Sequence, residues 1–126
     1  MLDVKIRRGL SGLGLFATKE FKRGDFIIEY LGEKISPEEA DRRGGKYLFT
    51  VTKEFVIDGK DRSNIARYIN HACKPNCYAE ADVDNIQIRF YAKRKIQLGE
   101  EITFHYGKQY FEDMIGENCR CNSCQN

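Results

Sequence analysis

The chain has 126 residues, room for one modest hydrophobic core and hardly for two. Its make-up, 41% hydrophobic and 32% charged with only two prolines, indicates neither disorder nor low-complexity structure. A formal charge of +2, from 21 basic and 19 acidic side chains, offers no electrostatic basis for non-specific nucleic-acid binding and leaves a basic partner or substrate permitted.

The first residues, Met1 to Lys5, lack the apolar core of a signal peptide, and no apolar run approaches the length that spans a bilayer. The expectation is an intracellular protein with no membrane partner. Arg7-Arg8, Arg42-Arg43 and Lys93-Arg94-Lys95 read as solvated faces. The glycines of Arg8-Gly9-Leu10-Ser11-Gly12-Leu13-Gly14 let the main chain approach a ligand closely, although a plain glycine-rich turn explains them equally well. Phe26 to Leu31 follows the turn signal Lys22-Arg23-Gly24-Asp25 and reads as a strand. Ser36-Pro37-Glu38-Glu39 supplies an N-cap, a first-turn proline and a glutamate placed to close a capping box, so a short helix is predicted, stopped by Gly44-Gly45.

Lys46 to Val51 and Glu54 to Ile57 read as short strands, and a helical turn is predicted over Asn64 to Ile69. Ile86, Ile88, Phe90 and Ala92 alternate with Gln87, Arg89 and Tyr91, the period of a strand with one buried face. Gln97-Leu98-Gly99-Glu100 launches a strand from Glu101 to Tyr106, echoing the earlier glycine, acid and strand at Gly24. Lys108 to Ile115 suits a short helix closed by Gly116. Many short strands with short helices predict a mainly β domain.

Cys119, Cys121 and Cys124 offer three corners of a tetrahedral zinc site. The fourth ligand must come from elsewhere, with Cys73, Cys77 or His71 as candidates, and inert reduced thiols are the alternative.

Four segments in fixed order carry a family resemblance. They are Gly12-Leu13-Gly14-Leu15-Phe16-Ala17, then Glu29-Tyr30-Leu31-Gly32-Glu33, then Asn64 through Asn70-His71-Ala72-Cys73-Lys74-Pro75-Asn76-Cys77, and Gly99-Glu100-Glu101-Ile102-Thr103-Phe104-His105-Tyr106-Gly107. Together they resemble the SET-domain protein-lysine methyltransferases over essentially the whole chain. The resemblance implies a SET domain over residues 1–107 and a post-SET zinc tail over 108–126, with a twisted β fold and a pseudoknot that brings Asn70-His71 beside Tyr106. It further implies transfer of methyl groups from S-adenosylmethionine to a lysine of a protein substrate, histone-like or other chromosomal, in a narrow channel.

By the same resemblance Tyr106 orients the methyl group and the amine, and Tyr30 is a second channel tyrosine, though two tyrosines completing a β core are the plain alternative. Donor contacts fall to Ser11, Gly12, Leu13 and Gly14, to Tyr47, and to Asn70, His71 and Tyr106. Cys73 joins Cys119, Cys121 and Cys124 around one structural zinc. Phe104 stands where family members carry phenylalanine or a tyrosine that limits added methyl groups, which predicts di- or trimethylation. Substrate lysine has a pKa of about 10.4 in water, and desolvation in the channel together with the donor's positive charge favours its neutral amine.

The chain departs from the family pattern at Ser63, Ala72 and His105, and in the short gap before Cys124. The competing readings are a catalytically silent peptide-binding module, which the retained Tyr106 opposes, and a nucleic-acid zinc knuckle, for which Glu112, Asp113 and Glu117 are the wrong charges.

Overall fold

The structure is a computed structural model and describes residues 2–9 and 12–105. The strands are β1 (Val4–Gly9), β2 (Gly12–Ala17), β3 (Phe26–Tyr30), β4 (Glu33–Ile35), β5 (Leu48–Thr50), β6 (Val56–Asp58), β7 (Asn70–His71), β8 (Cys77–Asp82), β9 (Gln87–Ala92) and β10 (Glu101–Phe104). One α-helix, α1 (Pro37–Arg43), and one 3-10 helix, Ile65–Tyr68, complete the described elements. The chain is thus mainly β, as its short β-branched runs predict.

The strands form three small sheets, ordered β1-β2-β10-β7, β3-β9-β8 and β4-β6-β5. The first positions the site. Antiparallel β2 and β10 meet at Leu15↔Ile102, and on its other edge β10 runs parallel to β7 with Thr103↔Asn70 and Phe104↔His71. The Asn-His segment is therefore held beside the strand that leads toward Tyr106, which itself lies outside the described residues, as do Ser11, the predicted helix over 108–115 and Cys119, Cys121 and Cys124. Leu15, Phe21, Ile88, Phe90, Ile96 and Ile102 anchor one shared core.

Local chemistry explains the elements. Ser36 Oγ accepts the Glu39 N–H at 3.1 Å, the expected N-cap, but the Glu39 carboxylate turns to Arg42 and Arg43 instead of closing the box. The helix stops at Gly44, with φ 65°, and Gly45, with φ 101°. Arg43 then joins Glu33 on β4, Glu39 on α1 and the buried Asp58 on β6, locking the third sheet and its helix into one module. The two glycine-acid turns are the same device. The Asp25 carboxylate accepts the Lys22 N–H at 2.8 Å, and the Glu100 carboxylate accepts the Gln97 N–H at 3.0 Å. Gly24 and Gly99 adopt φ 89° and 88°, which side chains resist.

Two expectations change. Gly12 to Gly14 lie within strand β2 and pair with β1, so this segment is the start of a strand rather than a simple turn. Ile86 does not open β9; it sits in the preceding turn with φ 52°, a strained conformation for a β-branched residue. Ile88, Phe90 and Ala92 are buried on one face as the alternation requires.

Candidate functional site

Tyr30 ends β3 with its ring buried and its hydroxyl donating to the Tyr47 carbonyl at 2.7 Å. The Gly59 N–H donates to the same carbonyl at 2.9 Å. Gly59 must be glycine, because a Cβ there would fall inside 3.0 Å of the Tyr30 ring and of Asn64 Nδ2. Gly32 is equally enclosed, by the backbone of Asp58. Between the two glycines the buried Asn64 accepts the Leu31 N–H at 2.9 Å and donates to the Gly59 carbonyl at 3.0 Å. The chain enters and leaves the β4–β6 module through this neck, which fixes Tyr30 against Tyr47.

The Tyr30 ring packs 5.3 Å from Phe49, and Phe104 stacks on Phe49 at 6.0 Å and meets Phe90 edge-on at 5.1 Å. Tyr30 and Phe104, both expected at the lysine channel, thus belong to one aromatic cluster. Such walls hold an aliphatic stem and attract a methylated ammonium.

A second group of residues gathers where β2, β10 and β7 meet. Asn70 Nδ2 donates to the Leu13 carbonyl at 3.0 Å and to Glu101 Oε2 at 2.9 Å. Its Oδ1 has no partner among the described residues. A Cβ on Gly14 would lie 2.5 Å from that carboxylate and 3.1 Å from the amide, so the glycine provides the space they occupy. Sequence reading placed Leu13, Gly14 and Asn70 together and overlooked Glu101, whose signal was its position directly after the glycine-acid turn.

Arg67 was also overlooked. Its guanidinium lies 4.3 Å from the centre of the Tyr47 ring and 5.3 Å from that of Tyr68. Among the described residues it forms no ion pair, and its buried Nε meets no hydrogen-bond partner there. An orphaned buried donor on a cation is a ready site for an anionic group.

His71 is buried, and its ring meets His105 edge-on at 4.7 Å. Burial, and secondly the neighbouring His105, hold its imidazole down to about 4, so it is neutral at pH 7. Cys73, half-buried, places Sγ 3.7 Å from His71 Nε2. Cys77 is sealed in the core, donates to the Thr103 carbonyl at 3.0 Å, and burial pushes its thiol up to about 12. Of the two cysteines, Cys73 is the more exposed. Among the described residues no cluster of metal-binding side chains assembles.

The SET-domain family model matches residues 12–107. The chain is 41% identical over 128 residues to the histone-lysine N-methyltransferase set1 of Dictyostelium discoideum, covering 93% of this chain and 8% of that protein. It is 35% identical over 130 residues to the histone-lysine N-methyltransferase trithorax of Drosophila melanogaster, covering 94% of this chain and 4% of that protein. To trr, a histone-lysine N-methyltransferase of the same fly, it is 35% identical over 127 residues, covering 93% of this chain and 5% of that protein. The chain therefore spans less than a tenth of the length of these curated relatives.

Proposed function

Because the chain belongs to the SET-domain family, we propose that it is a protein-lysine N-methyltransferase that uses S-adenosylmethionine and acts on a histone or another chromosomal protein. The observation that carries this reading is the pairing of β7 with β10 beside β2, which places two chemically different groups of residues on one framework. One group, Leu13, Gly14 and Asn70, with Arg67 on the 3-10 turn that precedes β7, suits the zwitterionic end of an amino-acid-bearing donor: Asn70 Oδ1 offers an acceptor to an amine, and Arg67 a cation to a carboxylate. The other, Tyr30, Phe49, Phe90 and Phe104, suits the apolar stem of lysine. A neutral His71 adds no positive charge near a cationic donor.

S-adenosylmethionine, when bound, supplies a methyl group on a cationic sulfur. Within the reading, Tyr47 and the backbone at Ser11, Gly12 and Leu13 hold the donor. Tyr30 and its aromatic neighbours exclude water and favour a neutral lysine amine, and Tyr106 aligns that amine. Phe104 leaves room for added methyl groups, so dimethylated and trimethylated products are expected. Phe104→Tyr should shift the products toward monomethyllysine; an unchanged distribution by mass spectrometry would remove this role.

Residues 108–126 form, in this proposal, a post-SET tail in which Cys119, Cys121 and Cys124 join Cys73 as thiolate ligands of one structural zinc. The sealed state of Cys77 supports the choice of Cys73. Zinc when bound supplies a tetrahedral cross-link between the tail and the end of β7. One equivalent of zinc in the purified chain, lost in Cys73→Ser and retained in Cys77→Ala, is the expected result. A chromosomal substrate implies a place on chromatin; no helix among the described residues is long and apolar enough to cross a membrane.

The test is incubation with methyl-labelled S-adenosylmethionine and purified core histones. Label on lysine supports the reading, and a chain that binds the donor yet labels no lysine in histones or a lysine-peptide array contradicts it.

A further inference from the structure

We infer that Glu101 is a positioning residue for the donor: its carboxylate fixes the side-chain amide of Asn70 so that Oδ1, and not Nδ2, is presented to a ligand. The inference rests on the donor reading above and deepens it. The two ends of an asparagine amide have nearly the same shape, so its orientation is decided by its partners. Asn70 Nδ2 spends its two hydrogens on the Leu13 carbonyl at 3.0 Å and on Glu101 Oε2 at 2.9 Å. In the flipped orientation Oδ1 would face a carbonyl and a carboxylate, two acceptor-acceptor repulsions in place of two bonds. With Glu101 removed, only the Leu13 carbonyl would oppose the flip.

The setting is built for this contact. The carboxylate takes the space that a Cβ on Gly14 would need, 2.5 Å from Oε2, while a Cβ on Gly9 would only touch Oε1, at 3.4 Å. The Glu101 backbone is held separately, by Asn76 Nδ2 at 2.7 Å and by pairing with Phe16, so strand β10 does not depend on the carboxylate. An oriented acceptor with a carboxylate behind it selects a cationic amine and opposes a carboxylate. Asn70 thereby reads the amine end of the donor's amino acid, leaving its carboxylate to a cation such as Arg67.

The test pairs nitrogen-resolved NMR of the Asn70 side-chain amide with calorimetric titration of S-adenosylhomocysteine. In the unmodified chain both amide protons should be protected from exchange. Glu101→Ala should expose them and weaken S-adenosylhomocysteine about tenfold, the scale of one lost charge-assisted hydrogen bond. Glu101→Gln, whose amide oxygen still accepts, should stay within about threefold of the unmodified chain. In an Asn70→Ala background, Glu101→Ala should add no further loss.

Should Glu101→Ala fail to fold, Asn70→Asp offers an independent variant. It should bind poorly alone and recover when paired with Glu101→Gln, which returns a donor to the contact. Unchanged affinity in Glu101→Ala, or a loss undiminished by Asn70→Ala, would overturn the inference. If the unmodified chain bound no S-adenosylhomocysteine, the donor reading would fall instead, while Asn70 amide protection would still decide the anchor.

Discussion

Asn64 and Asn70 stand on either side of one short 3-10 turn, each beside a glycine whose missing side chain makes room for it, and they serve different ends. Asn64 is 1% exposed, and both ends of its amide are spent on the backbones of Leu31 and Gly59. Asn70 spends only its Nδ2, leaving Oδ1 without a partner among the described residues. One glycine-and-amide pairing closes the fold on itself, and the other leaves an acceptor for a ligand. A buried amide whose two ends both meet the backbone reads as architecture; one whose oxygen is left over among the described residues reads as a candidate site.

Substitutions can break each half of this comparison. The largest effect should come from Gly32→Ala, since the new Cβ meets the rigid Asp58 backbone; a loss of about 3 kcal/mol or more is expected from urea unfolding. Asn64→Ala leaves the part-buried Leu31 N–H and the buried Gly59 carbonyl without this partner and should cost about 2 kcal/mol, shown by the unfolding midpoint. Gly14→Ala meets movable side chains instead, Glu101 and Asn70, and should cost only about 1 kcal/mol of stability while weakening S-adenosylhomocysteine about tenfold. A Gly14→Ala chain that lost stability and kept its affinity would remove the distinction between the two pairings.

The smallest effect should come from the partly exposed charges of α1. Hydrogen bonds from Arg42, then Arg43, hold Glu39 at about 2, below its ordinary 4.5. Its folded form therefore takes up a proton at lower pH than its unfolded form. The stabilisation is present above about 4.5 and fades as pH falls toward 2. Glu39→Gln should remove this small stabilisation at pH 7 and converge on the unmodified chain as pH falls toward 2, flattening the acid limb, so urea midpoints should differ more at pH 7 than at pH 3.

Much of the framework was legible in the sequence. The strand at Phe26, the Ser36 cap, the Gly44-Gly45 stop and the alternation from Ile88 to Ala92 are local patterns and appear as read. β1, β2, β4, β7 and β8 were not anticipated. β7 has only two residues and exists because β10 pairs with it from far along the chain. Ile86 continued the apolar alternation, but the Asp82 turn claimed it, with the Asp82 carboxylate accepting the Asp84 and Asn85 N–H groups.

The site was legible in its motifs and not in its connections. Leu13, Gly14, Tyr30, Tyr47, Asn70 and Phe104 were all named from sequence, yet nothing local says that Glu101 touches Asn70 or that Arg67 lies against Tyr47. Those contacts depend on pairings across long sequence separations. Residue type alone leaves Cys73 and Cys77 as equivalent thiols; burial tells them apart, Cys77 opening β8 inside the core and Cys73 lying half-buried just after β7.

The central claim is that these residues form a lysine methyl-transfer site, and the most direct measurement is mass-resolved methyl transfer with Tyr106→Phe as the control. Incubation with methyl-labelled S-adenosylmethionine and a lysine-peptide array should place label on particular lysines, with dimethylated and trimethylated products, and the control should lose it. Donor binding without label on any lysine, or label that persists undiminished in the control, would contradict the account.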